Sequence, residues 1–161
     1  MDVSQCLDGL NSAEPGRRRE AAEQLSREPD LAAAVSLVRA CGDGDEQVRE
    51  WAGSALEQMG APDPGDAGAL QTLLADDRAD VRYWSATLLG RLEGRAASAV
   101  GLLIQVLDTD SAPAVRQRAA WALGRVGREA AAARDSLTLA ASSGDARLAR
   151  LAGEALKNLS Q

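Results

Sequence analysis

The sequence contains no histidine and no phenylalanine, and only four of its 161 residues are aromatic. Without histidine the chain cannot form a serine–histidine nucleophilic triad or a histidine-based metal site. A glycine-rich phosphate loop of recognised spacing is also missing. We therefore predict a protein that is not an enzyme and that carries no cofactor and no metal ion.

Cysteine and long apolar runs are scarce as well. Cys6 and Cys41 are too few for a disulfide framework, and we expect them to be small buried side chains. No apolar run approaches the length of a membrane span, and the segment MDVSQCLDGL lacks the basic and apolar regions of a signal peptide. The sequence thus predicts no membrane association and a cytoplasmic location.

Charge is unevenly distributed along the chain. The formal net charge is −6, made up of −10 over residues 1–80 and +4 over residues 81–161. A net anion is not typical of general nucleic-acid binders, which usually carry a basic face. The basic second half could nevertheless attract an acidic partner.

One segment, VRQRAAWALGRVG at 115–127, recurs in degraded form along the chain. The first apolar residues of four copies are separated by 33, 34 and 33 residues, and apolar residues then recur at helical spacing. Shorter apolar segments of about one helix each lie between the copies. One of them, GLLIQVL at 101–107, could pass for a strand, but its place in the period predicts a helix. The other copies are VREWAGSALEQMG at 48–60, VRYWSATLLGRLE at 81–93, LARLAGEALKNLS at 148–160 and a fainter RRREAAEQLSREP at 17–29.

The pattern predicts five pairs of helices, with an A helix followed by a B helix in each pair. Neither helix of a pair can bury its apolar stripe alone, so the pairs must stack. We therefore predict an all-α fold of the α-α superhelix class, a right-handed, armadillo-like α-solenoid. It would be a single domain over residues 1–161, with repeats at approximately 1–29, 30–60, 61–93, 94–127 and 128–161.

The repeated pattern V-R-x-x-A-A-x-A-L-G-x-[apolar]-G, preceded by Asp, resembles the HEAT repeat, and its short period is most similar to the HEAT-like repeats of phycobilin lyases. The resemblance implies that B helices line a concave groove. It also implies a ladder between repeats, in which the Arg after the Val slot pairs with an Asp of the inter-helix turn. The matching arginines are Arg18, Arg49, Arg82 and Arg116, and the matching aspartates are Asp45, Asp77 or Asp80, Asp110 and Asp145.

All four aromatic residues fall on B helices and outside the core stripe. Tyr83 and Trp121 point well away from it, whereas Trp51 and Trp84 stand about 80° from its centre. Grouped aromatics on a groove are candidate binding hot spots, although Trp51 and Trp84 could instead pack on arginines of neighbouring B helices. The candidate partner-binding residues are Trp121, Tyr83, Trp84, Trp51, Arg118, Arg125, Arg91 and Arg150.

The interpretation that follows is a protein–protein interaction scaffold. Its groove would bind an acidic or amphipathic segment of another protein. Two alternatives stay open at this point: a nucleic-acid or phosphate-binding HEAT-like protein, and a subunit similar to the bilin lyases. The sequence does not indicate the oligomeric state.

Overall fold

The computed structural model describes residues 1–161, which form ten α-helices and no strand. The helices alternate as five A–B pairs, which confirms the predicted number of pairs. None of them combines the length and apolar character needed to cross a bilayer. The A helices are α1 (Val3–Leu10), α3 (Ala34–Ala40), α5 (Ala67–Leu73), α7 (Val100–Thr109) and α9 (Arg134–Ala141); the B helices are α2 (Pro15–Arg27), α4 (Glu46–Gln58), α6 (Ala79–Arg91), α8 (Pro113–Val126) and α10 (Ala146–Leu159).

Short 3-10 segments precede every A helix after the first, a feature that the periodicity did not predict. The longest two, Glu93–Ala99 and Gly127–Ala133, contain one residue each with non-helical backbone angles, Ala96 and Ala130. The predicted A helices of the fourth and fifth repeats are therefore preceded by 3-10 turns and become α-helical only from Val100 and Arg134. The segment 101–107 lies inside α7 and is helical, as predicted.

The chain forms two compact units, Met1–Asp66 and Ala67–Gln161. In the first unit the B helices α2 and α4 pack against each other. In the second unit α8 packs between α6 and α10, so these three B helices form one row. The single-domain interpretation stays a prediction, and the two units are described separately below.

Alanine, leucine and valine make up most of the buried core. In the 115–127 copy, Val115 and Val126 are buried, and Ala119, Ala120, Ala122 and Leu123 are fully buried. Gly124 lets α8 approach α10 closely, because a Cβ atom built there would lie 2.8 Å from the Cα of Ala155. Close contact between B helices therefore depends on small side chains at fixed places in the repeat.

Two steps of the ladder between repeats are present; one uses the predicted Asp110, whereas the other uses Asp43 in place of the predicted Asp45. Arg18 makes two hydrogen bonds to the carboxylate of Asp43, at 2.8 and 3.1 Å, and Arg82 makes two to Asp110, at 2.7 and 2.9 Å. The predicted Asp45 instead caps α4 and pairs with Arg19. The ladder aspartate stands two residues before the residue that caps the B helix, where its carboxylate also accepts the backbone N–H of that capping residue.

The last step of the ladder lacks this carboxylate. Ser143 occupies the position that Asp43 and Asp110 fill in other repeats, and the predicted Asp145 caps α10. Arg116 therefore has no carboxylate to pair with and donates its Nε–H to the carbonyl of Leu107 at 2.7 Å. The tie between α8 and the turn before α10 is made instead by Gln117, which donates to Asp145 at 2.8 Å.

Replacing Ser143 by aspartate is expected to restore this step and to stabilise the protein by about 1 kcal/mol, the typical net value of a charge-assisted hydrogen bond that is half exposed. Chemical denaturation followed by circular dichroism measures the gain. The same substitution in an Arg116→Ala background is the control, because without the guanidinium the new carboxylate has no partner. An equal gain in both backgrounds would contradict the assignment.

Candidate functional site

The B helices of the second unit carry an excess of positive charge. Between them α6, α8 and α10 hold eight Arg and Lys residues and two Asp and Glu residues. Three of the four aromatic residues lie on α6 and α8. The row of B helices is therefore the most cationic and the most aromatic part of this unit, and the candidate site is built on it.

Arg118 of α8 joins two aromatic rings from neighbouring helices. Its guanidinium carbon lies 4.6 Å from the ring centre of Tyr83 on α6 and 5.0 Å from that of Trp121 on α8. An Nη2–H of Arg118 also donates a hydrogen bond to the Tyr83 hydroxyl. The cation thus links α6 to α8 through both ring stacking and a hydrogen bond.

The ring of Trp121 packs against α6 as well as lining the surface. Gly90 makes room for it, because a Cβ atom at that position would overlap the indole ring and approach the Cα of Ala122 to 3.0 Å. Trp121 and Tyr83 are both half-buried. The two residues predicted to point away from the core therefore serve the packing of α6 on α8 and still present part of each ring to solvent.

Trp84 has a different environment from the one considered from sequence. Its ring meets that of Tyr83 edge-on, with the ring centres 5.5 Å apart. The cation over it is Arg91 of the same helix, at 5.9 Å, whereas Arg116 of the neighbouring helix donates to Leu107. Arg118 of α8 and Tyr83 of α6, rather than Trp84, make the cation–aromatic contact between neighbouring B helices.

A depression of about 290 Å3 lies between α8 and α10 beside Arg118. Three of the predicted residues line it, and α10 adds Arg147 and Leu151, which are four residues apart and so share one face of that helix. Neither residue was among those predicted to bind a partner, although they have the same four-residue spacing as Ala114 and Arg118 on α8. The lining residues are Tyr83, Ala114, Gln117, Arg118, Trp121, Arg147 and Leu151.

Two guanidinium groups at this depression have no carboxylate partner, namely those of Arg118 and Arg147. The carboxylate of nearby Asp145 already accepts hydrogen bonds from the backbone N–H groups of Arg147 and Leu148 and from the side chain of Gln117. The Leu148 N–H, followed by Gln117, holds the pKa of Asp145 below its usual range. Asp145 is therefore ionised at neutral pH and accepts hydrogen bonds from these three groups, and it pairs with neither Arg118 nor Arg147.

The remaining predicted residues do not join the depression. Arg125 and Arg150 are exposed and form ion pairs with Glu93 and Glu154, the latter within one turn of α10 at 2.8 Å. Trp51 belongs to α4 of the first unit, where it is half-buried. Of the eight candidate residues, the structure thus brings Tyr83, Arg118 and Trp121 together around one cavity and places Trp84 and Arg91 beside them on α6.

Two larger clefts lie between the A helices of the second unit. One, of about 410 Å3, surrounds the Arg82–Asp110 pair, and the other, of about 670 Å3, is lined by Arg116, Ser143 and the exposed Leu139. Neither brings together the aromatic and cationic side chains found on the B helices. No group of three or more acidic or cysteine side chains is arranged to hold a metal ion.

The repeats are similar to those of a known protein family and of several solved structures. A family model described as HEAT repeats matches residues 3–89 and again residues 67–157. An engineered protein of known structure is 22% identical, with a TM-score of 0.70, over 99% of this chain and 80% of that chain. A designed armadillo repeat protein in complex with the peptide (KR)4 is 17% identical, with a TM-score of 0.70, over 98% of this chain and 82% of that one.

The complex of CpcE and CpcF of phycocyanin lyase from Nostoc sp. PCC7120 is also similar, at 23% identity and a TM-score of 0.68. That alignment covers 100% of this chain and 66% of the other. These likenesses confirm the predicted all-α, α-α superhelix fold, and at such identities they show the fold alone. No curated protein matches the sequence.

Proposed function

The chain belongs to the HEAT repeat family, and from that premise we propose that it is a protein-binding module. A segment of another protein would bind along the B helices α6, α8 and α10, centred on the depression between α8 and α10. The observation that carries this proposal is the depression itself, which combines the half-buried rings of Tyr83 and Trp121 with two guanidinium groups that no carboxylate neutralises. Aromatic and arginine side chains at the centre of a concave site are the residues that dominate binding energy in protein interfaces.

The charge of the B helices favours an acidic or amphipathic partner segment. These three helices carry eight basic residues and two acidic ones, so an incoming acidic chain gains favourable electrostatic steering. The designed armadillo repeat protein of similar fold was solved with the basic peptide (KR)4. In this chain the row of B helices is basic, so we expect it to prefer acidic peptides.

An interaction role also fits the chemistry of the depression better than catalysis does. Its lining side chains are aromatic, aliphatic, amide and guanidinium groups, and they include no carboxylate, thiol or imidazole. The likeness to a phycocyanin lyase complex stands at 23% identity and supports a common fold. The proposed function is therefore recognition of a partner protein, without a chemical step of its own.

A photo-crosslinking amino acid at Leu151, inside the depression, tests the proposal in cells that express the protein. The matched control carries the same group at Leu139, which is 76% exposed on the A helix α9. We expect a discrete adduct from position 151 and none from position 139, identified by mass spectrometry. The purified partner should then bind the wild type and lose at least about tenfold in affinity with Trp121→Ala. Equal crosslinking at both positions, or unchanged binding by the Trp121 variant, would contradict the proposal.

A further inference from the structure

We propose that Arg147 recognises a carboxylate side chain of the partner segment. Arg118 is a positioning residue that fixes the rings of Tyr83 and Trp121 along the neighbouring side of the depression. This inference rests on the proposed function and names the chemistry at its centre. The ligand is a stretch of protein in which an Asp or Glu stands next to an aliphatic residue. The carboxylate meets the guanidinium of Arg147, and the aliphatic side chain lies against Leu151 and Trp121.

Arg118 is held in place by its surroundings. Its guanidinium lies over the rings of Tyr83 and Trp121 and donates to the Tyr83 hydroxyl, so its position is fixed from two helices. The side chain is half-buried, and together with the two rings it closes one side of the depression. A cation fixed in this way gives the site its shape and a constant positive field, at little entropic cost when a ligand binds.

Arg147, in contrast to Arg118, is not held in place by other side chains. It stands in the first turn of α10, its side chain is exposed, and its guanidinium has neither an ion pair nor a hydrogen bond within the chain. Asp145, two residues earlier in the chain, accepts hydrogen bonds from three N–H donors and does not pair with this guanidinium. The planar group of Arg147 can therefore bind an incoming carboxylate through two parallel hydrogen bonds.

The walls of the depression select a peptide rather than a nucleic acid. Arg118 already lies over both aromatic rings, so less ring face remains for a nucleobase to stack on. Leu151, Ala114 and Trp121 offer an apolar lining that suits an aliphatic side chain. A volume of about 290 Å3 accommodates one or two side chains, in keeping with an anchor residue of a peptide.

Two matched pools of ten-residue peptides test the inference. The first pool mixes Asp and Glu with Leu and Val, and the second replaces Asp by Asn and Glu by Gln. Binding is followed by the fluorescence of Trp121 in a protein that carries Trp51→Phe and Trp84→Phe. We expect the acidic pool to bind and the amide pool to bind at least about tenfold more weakly.

Three variants assign the roles of the arginines. Arg147→Gln should weaken the acidic pool about tenfold and reduce the dependence of binding on salt concentration. Arg128→Gln is the control, because it makes the same change of charge at an exposed arginine outside the depression and should alter affinity less than about twofold. Arg118→Lys keeps the charge but loses the stacked, planar geometry, so it should weaken binding while leaving the salt dependence unchanged.

The outcomes separate this inference from the proposed function. Equal binding of the two pools, or equal losses from Arg147→Gln and Arg128→Gln, would overturn the role of Arg147 while leaving a peptide site in place. Binding of neither pool would overturn the acidic ligand, and the crosslinking experiment at Leu151 would still decide whether a protein binds there. Binding of a single-stranded oligonucleotide in place of both pools, lost in Arg147→Gln, would replace the peptide by a nucleic acid.

Discussion

Replacing Arg82 by alanine is expected to lower the free energy of unfolding by about 3 kcal/mol, the typical cost of removing one partner of a buried ion pair. The side chains of Arg82 and Asp110 are 13% and 6% exposed, and two hydrogen bonds of 2.7 and 2.9 Å join them. Arg82 also donates to the carbonyl oxygens of Asp76 and Asp77, at 2.9 and 3.0 Å. Its loss would leave a buried carboxylate uncompensated and two turn carbonyls without their donor.

Chemical denaturation followed by circular dichroism measures this loss, and Arg150→Ala provides the control. Arg150 also forms an ion pair, with Glu154, but the two side chains are 60% and 54% exposed. Solvent screens such a pair, so its removal should cost less than about 1 kcal/mol. Similar losses from the two substitutions would show that the ion pair between repeats contributes no more to stability than an exposed ion pair does.

The loss caused by Arg82→Ala should also depend on pH. Burial alone would raise the pKa of Asp110, but hydrogen bonds from Arg82 and from the Ala112 N–H outweigh burial and hold this pKa below its usual range. A carboxyl whose pKa is lowered by folding stabilises the native state above the unfolded pKa of about 4, and this contribution is lost as the pH falls through the lower native value. The difference between wild type and Arg82→Ala should therefore be largest near neutral pH and shrink below about pH 4. A difference that stays constant from pH 7 to pH 3 would contradict this account.

Gly124→Ala is expected to destabilise the protein by about 2 kcal/mol, although alanine is normally the better residue inside a helix. The new Cβ atom would lie 2.8 Å from the Cα and 2.9 Å from the Cβ of Ala155, on the facing helix α10. These atoms belong to a helix backbone and its first side-chain carbon, so they cannot rotate away. Accommodating the methyl group requires α8 and α10 to move apart, which loosens the packing of buried residues on both.

Gly153→Ala is the matched control for this substitution. Gly153 lies in the middle of α10, and a Cβ atom built there meets no other atom within 4 Å. The same change should therefore stabilise the protein by about 0.5–1 kcal/mol, because it reduces the conformational freedom of the unfolded chain and favours the helix. Thermal and chemical unfolding of the two variants should shift in opposite directions. A shift in the same direction would mean that the close approach at Gly124 does not limit the packing of α8 on α10.

Local pattern was enough to predict the helices and the core. Apolar residues at helical spacing, repeated about every 33 residues, indicated five helix pairs. Val115, Ala119 and Leu123, which follow that spacing in the 115–127 copy, are buried. Helix periodicity depends on neighbours three or four residues away, so a single sequence contains the information. The same reasoning indicated a helix at 101–107, where composition alone suggested a strand.

Interactions between distant residues were predicted less well. The ladder was expected from the family resemblance, but Asp43 rather than Asp45 pairs with Arg18 at its first step. The two carboxylates stand in the same turn, and Asp45 instead caps α4 and pairs with the adjacent Arg19. The candidate site shows the same limit. Tyr83, Arg118 and Trp121 were among the expected residues, whereas Arg147 and Leu151 were not, although they line the same depression.

The sequence by itself determined that this chain is a row of paired helices with an alanine- and leucine-filled core, since periodicity and side-chain size act within each repeat. Only the tertiary structure decided which charges are neutralised and which are left over. Arg82 and Arg125 each meet a carboxylate from a neighbouring repeat, while Arg118 and Arg147 meet none. That distinction depends on where the ends of long side chains lie when helices some 30 residues apart are packed together, and helical periodicity does not record it.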